Sequence, residues 1–131
     1  MNKELLSAAR DVLDNAYVEY SNFNVAAALK MKDGAIITGV NVENASYGLS
    51  NCAERTALFT ARTNGYTKED ILEVVVTTHQ PSIVTPCGAC RQVMRELVPA
   101  DVPVHMVDAN DNVLSKTVEE LIPFSFTKDD L

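Results

Sequence analysis

All three cysteines of the chain fall in two short segments, Asn51-Cys52-Ala53-Glu54-Arg55 and Thr85-Pro86-Cys87-Gly88-Ala89-Cys90-Arg91-Gln92. Each segment sits where a strand-like or turn-like run gives way to a helical one. Zinc takes thiolate ligands readily, and a catalytic zinc site uses three protein ligands and leaves the fourth position to water. Cys52, Cys87 and Cys90 make such a set. Glu54 stands two residues after the first cysteine. On a helix it projects beside the metal but is turned about the axis from the ligand, so its carboxylate can meet the water without occupying a coordination position.

The same residues admit other readings. Asn51 and Glu54 have the spacing of a capping box, in which the Glu only closes a helix start. Cys87-Gly88-Ala89-Cys90 is a Cys-x-x-Cys at a helix start, where thiolates are stabilised, as in a thiol–disulfide oxidoreductase; that reading gives Cys52 and Glu54 nothing to do. A fourth protein ligand would make the zinc structural and the protein a binding module. The two imidazoles available are His79 and His105. His105 lies in a Val-rich strand and reads as a strand residue with a satisfied ring, and nothing fixes His79 toward the metal, so the site is read as open.

The elements that must carry these segments can be placed from periodicity. Leu5, Leu6, Ala9, Val12, Leu13 and Ala16 recur at helical spacing and predict an amphipathic helix from Lys3 to about Ala16. Val25 to Met31 and Ala35 to Val42 predict a hairpin turning at Lys32-Asp33-Gly34. Cys52 to Asn64 predicts a helix stopped by Gly65. Its stripe of Ala53, Thr56, Ala57, Thr60 and Ala61 would let it lie close on a sheet. Ile71 to Thr78 is a nearly continuous apolar strand of the kind buried on both faces, and it leads to Cys87. A helix from about Gly88 to Val98, with Val93, Met94 and Leu97 inward, is followed by strands at Val102 to Val107 and Val113 to Lys116 and a helix near Val118 to Leu121. This alternation predicts a single α/β domain over residues 1–131, a three-layer α/β/α sandwich on a mixed sheet of about five strands.

Bulk properties narrow the function. A chain of 131 residues and 14.3 kDa fits one domain and removes roughly two thirds of its unfolded surface from water. A net charge of -7 and a pI near 4.7 argue against a nucleic acid polymer as partner, because phosphate backbones are gripped by clustered Lys and Arg. Met1 to Leu6 carries no apolar run with a cleavage site, and no segment is long enough to span a bilayer. The expected location is the cytoplasm, with no membrane partner, and an odd number of cysteines there favours metal binding over disulfides.

Three stretches taken together, Asn41-Val42-Glu43-Asn44-Ala45-Ser46-Tyr47, Cys52-Ala53-Glu54-Arg55-Thr56-Ala57 and Pro86-Cys87-Gly88-Ala89-Cys90-Arg91-Gln92, resemble the short, all-cysteine, tetrameric cytidine deaminases. The likeness runs from the first helix to the region of Phe126. It implies a zinc enzyme of pyrimidine salvage that converts cytidine and deoxycytidine to uridine and deoxyuridine with loss of ammonia. Glu54 would carry protons from water to N3 of the base and then to the departing amine, a task for a carboxyl of raised pKa. Cys52, Cys87 and Cys90 would hold zinc, with Arg55 hydrogen-bonding ligand sulfurs. The helix N-termini and Arg55 would offset the negative charge of the thiolates.

The resemblance also assigns substrate contacts. Phe23, otherwise a loop residue plugging the core edge, would line the nucleoside pocket. Asn41 and Glu43, otherwise polar residues at a strand end, would bond the ribose hydroxyls. The backbone of Ala45 and Ala53 would meet the base, with Tyr47 in the same pocket. Phe126 matches a ring that enters a neighbouring subunit's site and stacks on the base, and Phe124, where the family commonly has Gly, is the alternative ring. A site completed across subunits implies a homotetramer. Ala26 departs from the family's usual Gly. Blasticidin-type deaminases share the cysteine framework, and Asn41 with Glu43 favours a nucleoside over such a substrate.

Overall fold

The computed structural model describes all 131 residues. Helix α1 (Lys3–Val12) is opened by Asn2, whose side chain accepts a hydrogen bond from the Leu5 amide at 3.0 Å. The helical pattern predicts an element reaching Ala16, but the α-helix ends at Val12 and a tighter 3-10 turn takes Leu13–Asn15. Leu13 is still buried, so the apolar stripe is preserved while the chain turns away.

Strands β1 (Val25–Met31) and β2 (Ile36–Val40) form the expected hairpin, with Gly34 at φ 94° in the turn. β2 is shorter than its apolar run because the backbone leaves the ladder at Asn41 and enters a second arrangement. Val42 makes isolated bridges to both Tyr17 and Asn51. Helix α2 (Ala53–Thr63) starts two residues after that bridge and ends before Gly65, at φ 90°. β3 (Ile71–Thr78), α3 (Gly88–Leu97), β4 (Pro103–Val107), β5 (Val113–Thr117) and α4 (Val118–Leu121) follow in chain order.

The five strands form one mixed sheet in the order β2-β1-β3-β4-β5. β3 and β4 are its only parallel neighbours, and α3 lies in the crossover between them. β3 is central, which explains its unbroken apolar sequence: Val74 and Val76 pack beneath α2 and α3, while Val75 faces the other way. There Leu5 and Ala9 of α1 and Leu13 of the turn after it close on Ala26, Ala28 and Val107. The result is the predicted α/β/α arrangement. In α3 Met94 is buried, but Val93 and Leu97 are only half-buried because they lie at the margin of the packed face. Ala26 is fully buried against α1, so its methyl points away from the cysteines. No helix is long and apolar enough to cross a membrane.

The start of α1 is fastened to the sheet by polar groups. The Asn2 amide donates to Glu73 Oε2 at 2.9 Å, and His105 reaches the same oxygen with Nε2 at 3.3 Å. The other ring nitrogen, Nδ1, lies 2.6 Å from Ser115 Oγ. Burial holds the His105 pKa below its usual 6.5, helped by the N-terminal ammonium and opposed by Glu73. The unfolded chain therefore binds more protons than the folded one just below pH 6.5, and stability falls as pH drops there. Replacement His105→Gln should flatten that decline relative to the unaltered protein, as measured by thermal melts across the acid range, while leaving the curve above pH 7 parallel.

Candidate metal centre

Cys52 and Cys87 are both helix N-caps, of α2 and α3 respectively, and Cys90 lies in the first turn of α3. The two helices thus aim their N-termini at one point. Amides left unpaired at such termini carry partial positive charge, and the Cys90 amide lies 3.5 Å from Cys87 Sγ. Cys52 is delivered there by the bridge between Val42 and Asn51, whose amides donate to each other's carbonyls at 3.0 and 2.9 Å. Cys87 is held by Arg91, one turn on, whose Nε donates to the Pro86 carbonyl at 2.7 Å. The guanidinium also reaches the Leu121 carbonyl at 2.8 Å.

The three sulfurs all lie within 4.8 Å of one another, and Cys52 and Cys87 are 3.7 Å apart. Two ligands each about 2.3 Å from a common tetrahedral centre would sit about 3.8 Å apart, so the spacing fits zinc. Burial is graded, with Cys90 buried, Cys52 half-buried and Cys87 exposed, which leaves one side of the trio open to solvent. Neither histidine approaches. His79 pairs with Asp14 at 2.7 Å, and His105 is committed to Ser115 and Glu73.

Electrostatics point the same way. A hydrogen bond from the Cys90 thiol, with further help from Arg55 and Cys87, pulls the Cys52 pKa down to about 5 against burial. The same bond, together with burial and the nearby Glu54 charge, pushes Cys90 up. A metal dication among the three sulfurs would supply the positive charge that their ionised forms need. Arg55 donates to Cys52 Sγ at 3.4 Å, and the bond to Cys52 raises its own pKa. Its Nε is buried without a partner, a donor in reserve beside sulfurs that become more negative when all three ionise.

Glu54 is 5% exposed in the first turn of α2. Burial, and after it the Cys52 charge, raises its pKa to about 7, while its own amide and Arg55 pull the other way. It does not cap the helix: Cys52 is the N-cap, and Asn51 Nδ2 instead donates to Thr56 Oγ1 at 3.0 Å. A carboxyl titrating near neutrality can both accept and return a proton.

The other expected contacts lie on loops, apart from Ala53 at the start of α2. Asn41 is spent on the β1 entrance: Oδ1 accepts from the Val25 amide at 3.0 Å and Nδ2 donates to the Phe23 carbonyl at 2.7 Å. Glu43 accepts from the amides of Tyr20 and Ser21, each at 3.1 Å, and from the Ser21 hydroxyl. The Ser21 hydroxyl is the main reason its pKa is lowered. Phe23 is half-buried, Ala45 is exposed and Ala53 is buried. Tyr47 is 76% exposed, with its ring edge-on to Tyr20 at 6.0 Å. Phe126 is exposed on the C-terminal strap, where its carbonyl accepts from Gln92 Nε2 at 2.9 Å, and Phe124 projects fully into solvent.

Sequence reasoning missed Ser21, Thr56 and the pair Arg91 and Gln92 as organisers of this region. The available signal for Arg91 was the tendency of helical side chains to lean toward the N-terminus, here toward Pro86. For Ser21 there was none, because its partner comes from a separate loop.

Comparison with known proteins agrees with the geometry. Residues 1–106 match the family model described as cytidine and deoxycytidylate deaminase zinc-binding region. A cytidine deaminase of Halalkalibacterium halodurans is 50% identical over 127 residues, covering 97% of this chain and 95% of that protein. A blasticidin-S deaminase of Bacillus cereus is 32% identical over 133 residues, covering 95% and 91%. The solved structure of cytidine deaminase from Burkholderia pseudomallei superposes with a TM-score of 0.92 at 43% identity, covering 96% of this chain and 99% of that one. A three-thiol centre at two helix starts, a buried glutamate beside it and a match across most of the sequence place this chain in the cytidine and deoxycytidylate deaminase zinc-binding family.

Proposed function

We propose that the chain is a zinc-dependent cytidine deaminase, one catalytic domain over residues 1–131 that converts cytidine and deoxycytidine with water to uridine and deoxyuridine plus ammonia. This is a cytoplasmic step of pyrimidine salvage. The observation that carries it is a buried glutamate in the first turn of α2 next to three converging cysteine sulfurs. Cys52, Cys87 and Cys90 hold the metal. When bound, zinc supplies Lewis acidity, which lowers the pKa of a water in its open position.

The chain's own groups do the rest. Glu54 takes a proton from water and places it on N3 of the pyrimidine, which makes C4 electrophilic as oxygen adds there. It then passes a second proton to the 4-amino group, which leaves as ammonia while the C4 carbonyl forms. Arg55 and the N-termini of α2 and α3 stabilise the sulfur charge, so that three thiolates do not quench the Lewis acid. The Ala53 and Ala45 backbones face the base, with Phe23 and Tyr47 as walls. Asn41 and Glu43 hold the loop at residues 20–25, and the carboxylate keeps lone pairs for ribose hydroxyls. Phe126, exposed on its strap, is offered to a neighbouring copy's pocket, and this gives the homotetramer its functional reason.

Mixing purified protein with cytidine should produce the ultraviolet change of uridine formation, with one zinc per chain by elemental analysis. A higher kcat/KM for blasticidin S than for cytidine would instead favour the activity named for the Bacillus cereus relative. Replacing Glu54 by Gln should keep zinc and fold and lower kcat by about 10²- to 10⁴-fold; near-normal turnover would remove the proton shuttle. The Cys90→Ala protein should lose most of its zinc by the same elemental analysis. For Phe126→Ala the expected result is a raised KM with zinc retained, read from steady-state kinetics, and an unchanged KM would take this ring out of the pocket.

A further inference from the structure

Gly39 lies in the middle of β2, paired with Ala27 of β1, and is buried directly beneath α2. Its φ is not positive, unlike those of Gly34 and Gly65, so conformational freedom is not what the position requires. What it requires is space. A Cβ built there would stand 2.4 Å from the Ala57 nitrogen, 2.8 Å from the Ala53 carbonyl oxygen and 2.9 Å from the Ala57 Cα. All three are main-chain atoms of α2, so no rotamer change relieves them. Since ordinary contact begins near 3.4 Å, one methyl would lift the helix by about 1 Å.

The part of α2 that Gly39 touches is the part that carries the chemistry. Ala53 stands between Cys52 and Glu54, and Ala57 is one turn on. The other two sulfurs belong to the start of α3, whose buried residues Cys90 and Met94 pack over Val74, Val76, Val104 and Met106 of β3 and β4 in the core that α2 also shares. α2 rests on β1 and β2 and touches α3 only along one side, so a change in its height above β2 acts first on Cys52 and Glu54. We propose that Gly39 is a positioning residue for the metal centre: by letting α2 settle onto β2 it sets the separation of Cys52 and Glu54 from Cys87 and Cys90, and with it zinc affinity and the proton path. This rests on the deaminase reading for its kinetic arm only.

The test is Gly39→Ala in the full-length protein, with two independent readouts. Competition for zinc against a chromophoric chelator, and the thiolate-to-metal absorption of the cobalt(II)-loaded protein, report the sulfur cluster without any substrate. Steady-state kinetics on cytidine report Glu54. We expect zinc affinity to fall by about tenfold or more with an altered cobalt spectrum, and kcat to fall about 10- to 100-fold with KM changed less than about threefold. A lower melting temperature with zinc affinity, cobalt spectrum and kcat all unchanged would show a packing glycine and overturn the proposal. Should Gly39→Ala not fold, Ala57→Ser, which adds one oxygen to the buried residue of α2 nearest Gly39, is judged by the same two outcomes. If the unaltered protein does not turn over cytidine, the deaminase reading fails while the chelator competition still decides the role of Gly39.

Discussion

Three sulfurs drawn to one point are an electrostatic problem before they are a metal site. Three thiolates carry a charge of about -3, which zinc alone does not neutralise. The fold meets this by making Cys52 and Cys87 the N-caps of two separate helices and by placing the Arg55 guanidinium on Cys52. Every other feature of the centre follows from that need. α2 and α3 must converge, so they share one face of the sheet, and α1 alone covers the opposite face.

The same burial that makes the sulfurs costly makes Glu54 useful. A carboxyl in water would be ionised throughout the physiological range, a poor proton donor. Packed in the first turn of α2 beside a negative sulfur, it is brought to neutrality, where both protonation states are accessible. The helix start that stabilises the cysteine anions and the burial that destabilises the glutamate anion therefore act within three residues of each other. That contrast is sustainable only if α2 cannot move, and this is why its close seat on β2 at Gly39 bears on chemistry as well as on packing.

Much of this was legible in the sequence, for identifiable reasons. β3 announces itself because a strand covered on both faces must be apolar throughout, and the hairpin because Asp33-Gly34 suits a tight turn. The cysteine trio could be read from residue type and spacing, and Glu54 from its place beside them. The stop of α1 at Val12 was not legible, since a 3-10 turn keeps Leu13 in the same apolar stripe. Nor was the present use of Asn41 and Glu43: their partners, in residues 20–25, come from a loop whose approach depends on the Tyr17 to Val42 bridge. Local pattern fixes elements, whereas contacts between two irregular segments leave no periodic trace.

X-ray absorption at the zinc edge of the purified protein reads out whether Cys52, Cys87 and Cys90 together hold one zinc with a position open. The expected shell is three sulfurs at about 2.3 Å and one lighter atom at the distance of a coordinated water. A fourth sulfur or an imidazole ring in the shell, or fewer than three sulfurs, would contradict it.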